Sequence, residues 1–297
     1  MIWVKPSREG EAYQLLELNP QIKDWKLGEQ GVVPWRSKDG EQLWGILIKP
    51  VDYQPARKYP LIVDPYGSPV AISDFKGVSL LANQAHAMRG YAVFFPASRS
   101  FFGFTQHFKN TAFAQSAQGA AAGEALVEDV LSGVDELIAR GLVDPQRLGL
   151  YSFSTGASAI NYLLTRTTRF KVAVSAAGVS DWVHYFLLRD VDDWTIPDML
   201  NGHTPFDDLQ TYLSLSPIYH LDRVVTPLML VVGDKDQRLL DNIYMFDGLR
   251  RLGREVTLVR YPGEGHGIAS SSAIKDYWNR VNEFFDKYLK PDQSLQK

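Results

Sequence analysis

Three side chains in this sequence have the types that nucleophilic acyl transfer needs: Ser154, Asp236 and His266. A serine hydroxyl is a weak nucleophile on its own. It attacks a carbonyl when an imidazole takes its proton, and a carboxylate must hold that imidazole in the right tautomer and stabilise its cation. Histidine suits the task because its ordinary pKa lies near neutrality. Ser154 sits in Ser152-Phe153-Ser154-Thr155-Gly156. That run is an imperfect form of Gly-x-Ser-x-Gly, in which a strand turns sharply into a helix and pushes the serine hydroxyl outward. Ser152 stands where the first glycine is expected. A pattern this short arises by chance in many chains, and a serine before a helix is most often only its cap. Asp234 and Asp241 compete with Asp236 for the acid role, and His266 is one of six histidines. The surrounding elements must decide.

Hydrophobic patterning supplies those elements. Residues 31–36 and 41–49 flank Ser37-Lys38-Asp39-Gly40, an Asp-Gly hairpin signal. A buried strand is expected at 60–64, running into Pro65-Tyr66-Gly67-Ser68-Pro69. Further strands are expected at 91–95, 148–153, 170–175, 227–232 and 255–261. Helices are expected at 74–89, 124–140, 155–165, 239–252 and 273–289. The helix at 124–140 carries Leu126, Val127, Val130, Val134, Leu137 and Ile138 on one stripe and closes at Gly141. Residues 96–123 read as a long loop, and 178–225 as an irregular insertion over a pocket. Buried-type strands alternating with helices imply an α/β protein: a mostly parallel eight-stranded sheet with helices on both faces. Chemistry then sits beyond the carboxyl ends of the strands. Ser154 follows the fifth strand, Asp236 the seventh and His266 the eighth, the chain order of an α/β-hydrolase triad. The developing oxyanion needs donors. One is the backbone N–H of Thr155, directly after the nucleophile. Tyr66, after the third strand, offers a hydroxyl as the second, or packs at the loop edge; the residues alone weigh these equally.

Composition narrows the classes. The 297 residues suit one large domain, with 45% apolar and 22% charged residues. A net charge of −3 gives no basic footprint for nucleic acid or an anionic membrane. There are no cysteines, which excludes disulfides, cysteine nucleophiles and thiolate metal sites. Nothing in the sequence calls for a metal or cofactor. No apolar run reaches about 18 residues, the length that spans a bilayer. Met1-Ile2-Trp3-Val4-Lys5-Pro6 lacks the apolar core of a signal peptide, so a complete chain would be expected in the cytoplasm. The expected partner is a small peptide or ester substrate, and the sequence leaves room for an oligomer.

Longer stretches carry a resemblance. These are Asp129-Val130-Leu131-Ser132-Gly133-Val134-Asp135, Val143-Asp144-Pro145-Gln146-Arg147-Leu148-Gly149, and Ala177-Gly178-Val179-Ser180-Asp181-Trp182. Leu215-Ser216-Pro217-Ile218-Tyr219 and Tyr261-Pro262-Gly263-Glu264-Gly265-His266-Gly267 join them. From about residue 30 to residue 290 the chain resembles the catalytic domain of the prolyl oligopeptidase family of serine peptidases, most closely its acylaminoacyl-peptidase-like branch. The resemblance implies Ser154 as nucleophile, Asp236 over Asp234 as acid, His266 as base, and the Tyr66 hydroxyl in the oxyanion hole, where other branch members have histidine. Phe153 and Trp182, with Phe186 and Trp194, are candidates for an apolar substrate pocket. Ser152, Ala157, Ser68 and Ser100 depart from family glycines, each by a small side chain that fits if φ stays negative there. Family members usually carry an amino-terminal β-propeller. Residues 1–30 resemble the link out of one, 31–290 form the hydrolase domain, and 291–297 are a tail. The implied activity is cleavage of peptide, acyl-peptide or aminoacyl amide bonds. A carboxylesterase with the same triad and an inactive interaction domain are the alternatives.

Overall fold

A computed structural model describes residues 2–4, 10–16, 20–66, 78–99, 120–190, 193, 196, 200 and 202–290. Eight strands form its main sheet: β3 (Gln30–Arg36), β4 (Gln42–Ile48), β5 (Tyr59–Val63), β6 (Ala92–Pro96), β7 (Val143–Phe153), β8 (Val172–Ala176), β9 (Leu228–Gly233) and β10 (Val256–Tyr261). Their order across the sheet is β10-β9-β8-β7-β5-β6-β4-β3. All pairs from β10 to β6 are parallel, and only β3–β4 and β4–β6 are antiparallel. This is the α/β-hydrolase-like sheet that the patterning implies.

Two large cores and a smaller cluster of Ile46, Ile48, Ala87, Val93 and Phe95 flank the sheet, and the period-2 alternation of strand side chains sorts residues between its faces. Leu61, Val63, Leu148, Leu150, Leu228 and Leu230 point into one core. Ile62, Tyr151, Val172, Val174, Met229 and Val231 point into the other. Strands β5, β6, β8 and β9 are buried at every residue, as central parallel strands must be. The helices are α1 (Val78–Met88), α2 (Ala120–Ala139), α3 (Thr155–Leu164), α4 (Trp182–Leu187), α5 (Leu209–Leu215), α6 (Leu239–Arg251) and α7 (Ser271–Leu289). The stripe expected on α2 is there: Leu126, Val130, Val134 and Leu137 are all fully buried. On the opposite face α7 presents Tyr277, Val281, Phe285 and Leu289 to the second core.

Two features differ from the patterning. The fifth strand of the sheet begins at Val143, because its start pairs with Tyr59 before an irregularity resets the register to Leu61–Leu148. The 178–225 insertion is not irregular throughout. It holds α4 and α5, capped by Asp181 (accepting from Val183 N and His184 N) and Asp208 (accepting from Thr211 N). Helices of under two turns show too little periodicity to be read in advance. Outside the main sheet, β2 (Tyr13–Leu16) pairs antiparallel with β1 (Ile2–Val4) in a two-stranded sheet of its own. The 74–77 part of the first expected helix, most of the 96–123 loop and the 291–297 tail lie outside the described residues.

Candidate active site

The loops after β5, β7, β9 and β10 leave the same end of the parallel sheet, and they carry Tyr66, Ser154, Asp236 and His266 respectively. Ser154 links the last residue of β7 to the first of α3, with φ 57° and ψ −123°. Only two non-glycine residues among those described have positive φ, Ser154 and Ala177, and both sit at this rim. Positive φ is costly for a residue with a Cβ and persists where surroundings hold it. Here the Ser154 N–H donates to Ala176 O at 2.8 Å. The turn also depends on Gly156. A Cβ there would lie 2.0 Å from Ser152 Oγ and 2.9 Å from the Tyr66 Cα, so elbow, helix start and the β5 loop meet without room for a methyl. Ser152 itself avoids positive φ and fits.

The hydroxyl of Ser154 lies 2.9 Å from His266 Nε2, and His266 Nδ1 lies 2.8 Å from Asp236 Oδ2. An ionised carboxylate only accepts, so the proton belongs on Nδ1, leaving the Nε2 lone pair for the serine. Asp236 is 5% exposed. Burial opposes its charge, but the His266 bond and the Arg238 N–H at 2.9 Å outweigh it and hold the carboxyl below its ordinary pKa. The three competing carboxylates divide by geometry. Asp234 accepts from Gly263 N at 2.8 Å and shapes the turn ahead of His266. Asp241, wholly buried, accepts from Ser180 N and Asp181 N and meets His184 Nδ1 at 3.1 Å, tying α4 to α6. Asp236 alone of the three reaches His266. The two loops touch closely at Gly233, where a Cβ would fall 2.2 Å from Gly265 O.

Around this chain of bonds the other expected residues take distinct places. The Thr155 N–H is the first of α3, and helix geometry leaves it without an intrahelical partner. Tyr66 is 40% exposed, and its own N–H is engaged by Asp64 Oδ1 at 3.1 Å, so its hydroxyl is the donor it has left for a substrate. Phe153 stacks on His266 with ring centroids 4.7 Å apart. Beside them opens an apolar cavity of about 580 Å³, lined by Tyr151, Phe153, Ala177, Ile268, Tyr277 and Trp278. Trp182 is buried in the core against Tyr185 rather than in that cavity, and Phe186 packs on Phe206 and Tyr212. Trp194, Ser68 and Ser100 lie outside the described residues. His184 is held by Asp241.

Sequence reasoning missed Arg238 and Tyr185. Arg238 Nη1 lies 2.7 Å and 3.0 Å from the two ring nitrogens of His266, and its Nη2 donates to Tyr185 OH at 2.8 Å. Lying that close to both nitrogens at once, Nη1 sits over the face of the imidazole ring, which leaves the in-plane Nε2 lone pair to Ser154. A basic residue two places after the acid was the signal available. Among the described residues no cluster of His, Cys, Asp or Glu is placed to hold a metal ion, and no helix is long and apolar enough to cross a membrane.

The family model for the prolyl oligopeptidase family matches residues 79–292. This chain therefore belongs to the prolyl oligopeptidase family, a family of serine peptidases with an α/β-hydrolase catalytic fold. Among its relatives is the uncharacterized peptidase YuxL of Bacillus subtilis, 28% identical over 96% of this chain and 44% of that protein. Among solved structures, the acylaminoacyl peptidase of Pyrococcus horikoshii superposes with a TM-score of 0.76 at 26% identity, over 95% of this chain and 45% of that one. An acylaminoacyl peptidase in complex with Z-Gly-Gly-Phe-chloromethyl ketone gives a TM-score of 0.78 at 27% identity, with the same 95% and 45% coverage. The chain spans less than half the length of each of these proteins.

Proposed function

We propose that this chain is a serine peptidase domain that cleaves peptide, acyl-peptide or aminoacyl amide bonds through an acyl-enzyme on Ser154. The observation that carries this reading is the unbroken Ser154–His266–Asp236 chain at 2.9 and 2.8 Å, hung on a strained elbow. His266 Nε2 takes the Ser154 proton as Oγ bonds to the scissile carbonyl carbon. The carbonyl oxygen becomes an oxyanion between the Thr155 N–H and the Tyr66 hydroxyl. The tetrahedral adduct collapses, the C–N bond breaks, and the departing amine takes the proton from the imidazolium. Water then repeats the sequence on the ester, freeing Ser154. Arg238 presents N–H groups at the rim, where a peptide carbonyl can accept them. The acylaminoacyl-peptidase relatives support an amide substrate.

A fluorophosphonate probe should label Ser154 and leave Ser154→Ala unlabelled. An aminoacyl anilide and a short-chain nitrophenyl ester then separate the chemistries by kcat/KM. Ester turnover without amide turnover would replace the peptidase with a carboxylesterase. An unlabelled Ser154 in the native chain would overturn the reading.

A further inference from the structure

Beneath the elbow lies a polar contact that the catalytic cycle above does not use. Ser152 is fully buried, and its Oγ donates to Asp64 Oδ1 at 2.6 Å. The same carboxylate oxygen accepts the Tyr66 N–H at 3.1 Å. Asp64 directly follows β5, and its N–H is held by Phe94 O at 2.9 Å on β6. One carboxylate thus ties together the strand two residues before the nucleophile and the residue that bears the oxyanion hydroxyl. The crowding at Gly156 shows how little slack there is, because a Cβ there would fall 2.0 Å from Ser152 Oγ and 2.9 Å from the Tyr66 Cα. A glycine at 152 could make no such tie.

We propose that Asp64 and Ser152 are a positioning pair that sets Tyr66 against the Ser154 elbow and so governs the rate of the chemical step. This deepens the serine hydrolase reading and rests on it. Neither side chain touches substrate. They act through Tyr66, whose hydroxyl must meet the position the oxyanion takes, and displacements of about 1 Å in such groups cost on the order of a hundredfold in rate. Bonds to an ionised carboxylate are roughly twice as strong as neutral ones, so the pair is tightest when Asp64 is charged. Burial pushes the Asp64 carboxyl up to about 7, with the Ser152 and Tyr66 bonds pulling the other way. Among the described residues, the titratable groups coupled to it from neighbouring elements are Tyr151 on β7 and Tyr277 on α7. Their hydroxyls bond one another at 3.0 Å and are kept neutral by burial. Asp64 therefore changes charge near neutrality, and its ionisation should appear on the acid side of the pH profile.

The test compares the native chain with Ser152→Ala and Asp64→Asn, using a nitrophenyl ester across pH 5–9 and fluorophosphonate labelling of Ser154 in parallel. Ser152→Ala should lower kcat about tenfold or more with KM unchanged. It should also move the acid limb to higher pH, because the bond that favours the charged carboxylate is gone. Asp64→Asn keeps an acceptor for both donors and should fold normally. It should lower kcat by a smaller factor and remove from the acid limb the step that Asp64 contributes. Variants that still label at Ser154 but keep the native kcat and acid limb would overturn the positioning role alone. Failure of the native chain to label would overturn the hydrolase reading and this role with it. A parallel rise in KM, or a loss confined to thermal stability, would reduce the pair to packing and overturn the proposal.

Discussion

Replacing Gly156 by alanine tests whether the elbow is as closely built as its contacts imply. The added methyl would sit 2.0 Å from Ser152 Oγ and 2.9 Å from the Tyr66 Cα, against about 3.4 Å or more for ordinary contact. Ser152 is fully buried and bonded to Asp64, so it cannot swing into solvent. Overpacking of this kind costs about 1–3 kcal/mol, and turning the Ser152 hydroxyl away would forfeit a buried bond of about the same size. Alanine in a helix returns at most about 1 kcal/mol relative to glycine. Gly156→Ala should therefore lose about 1–2 kcal/mol net. Its kcat should fall further than stability suggests, by about tenfold or more, because Tyr66 is pushed off its station. The decisive measurement is the double-mutant cycle with Ser152→Gly, read by chemical denaturation and by ester hydrolysis. Removing the Ser152 side chain clears the 2.0 Å overlap, so the two changes should couple by about 2 kcal/mol. Additive effects, or a Gly156→Ala variant with native stability and kcat, would refute the crowding argument.

Other outcomes follow from the same geometry. Ser154→Gly should abolish hydrolysis yet stabilise the fold by about 1 kcal/mol, seen as a higher Tm, since glycine adopts positive φ without strain. Asp236→Asn should cut kcat/KM by about 10⁴-fold with folding intact, because an amide donor facing Nδ1 puts the proton on Nε2, where Ser154 needs a lone pair. His86 sits among the rings of Tyr91, Tyr151, Trp278 and Phe285, and burial first, then the Arg89 and Lys290 charges, push its pKa down to about 3. The folded ring stays neutral while the unfolded one protonates below its ordinary pKa of 6.5, so stability falls as pH drops from there toward 3. His86→Phe should remove that dependence, making the variant's advantage in urea unfolding roughly 2 kcal/mol larger at pH 5 than at pH 8.

The sheet was legible because central strands must be apolar on both faces. Runs such as Leu61-Ile62-Val63 and Leu228 to Val232 announce themselves, and their order with the helices carries Ser154, Asp236 and His266 to one rim. Which carboxylate reaches the imidazole was not legible from the residues alone. Asp234, Asp236 and Asp241 are equivalent by type, and they part company only once the Gly263 turn and the Ser180 contact are formed. Arg238 was missed because its meeting with His266 depends on how two loops are folded against each other. The Ser152–Asp64 bond joins positions 88 residues apart, so Ser152 looked like a defect in a motif rather than half of a contact. The insertion helices were hidden by their brevity, although Asp181 and Asp208 are ordinary capping residues.

The order of strands has a consequence for how the molecule acquires reactivity as it folds. Strands β7, β8, β9 and β10 are neighbours in sequence and in space, so the segment bearing Ser154, Asp236 and His266 can be laid down strand by strand. Strand β5 docks on β7 from the other side, bringing Asp64 and Tyr66 from an earlier part of the chain. The backbone of Ser154 is thus gripped from two directions, by Ala176 O on β8 and by the crowding of the β5 loop above Gly156. Both grips are present together only when β8 and β5 have each docked on β7, so the positive φ of Ser154 is held by the assembled sheet. The strained elbow is thus a product of the whole sheet and not of the Ser152–Gly156 segment alone.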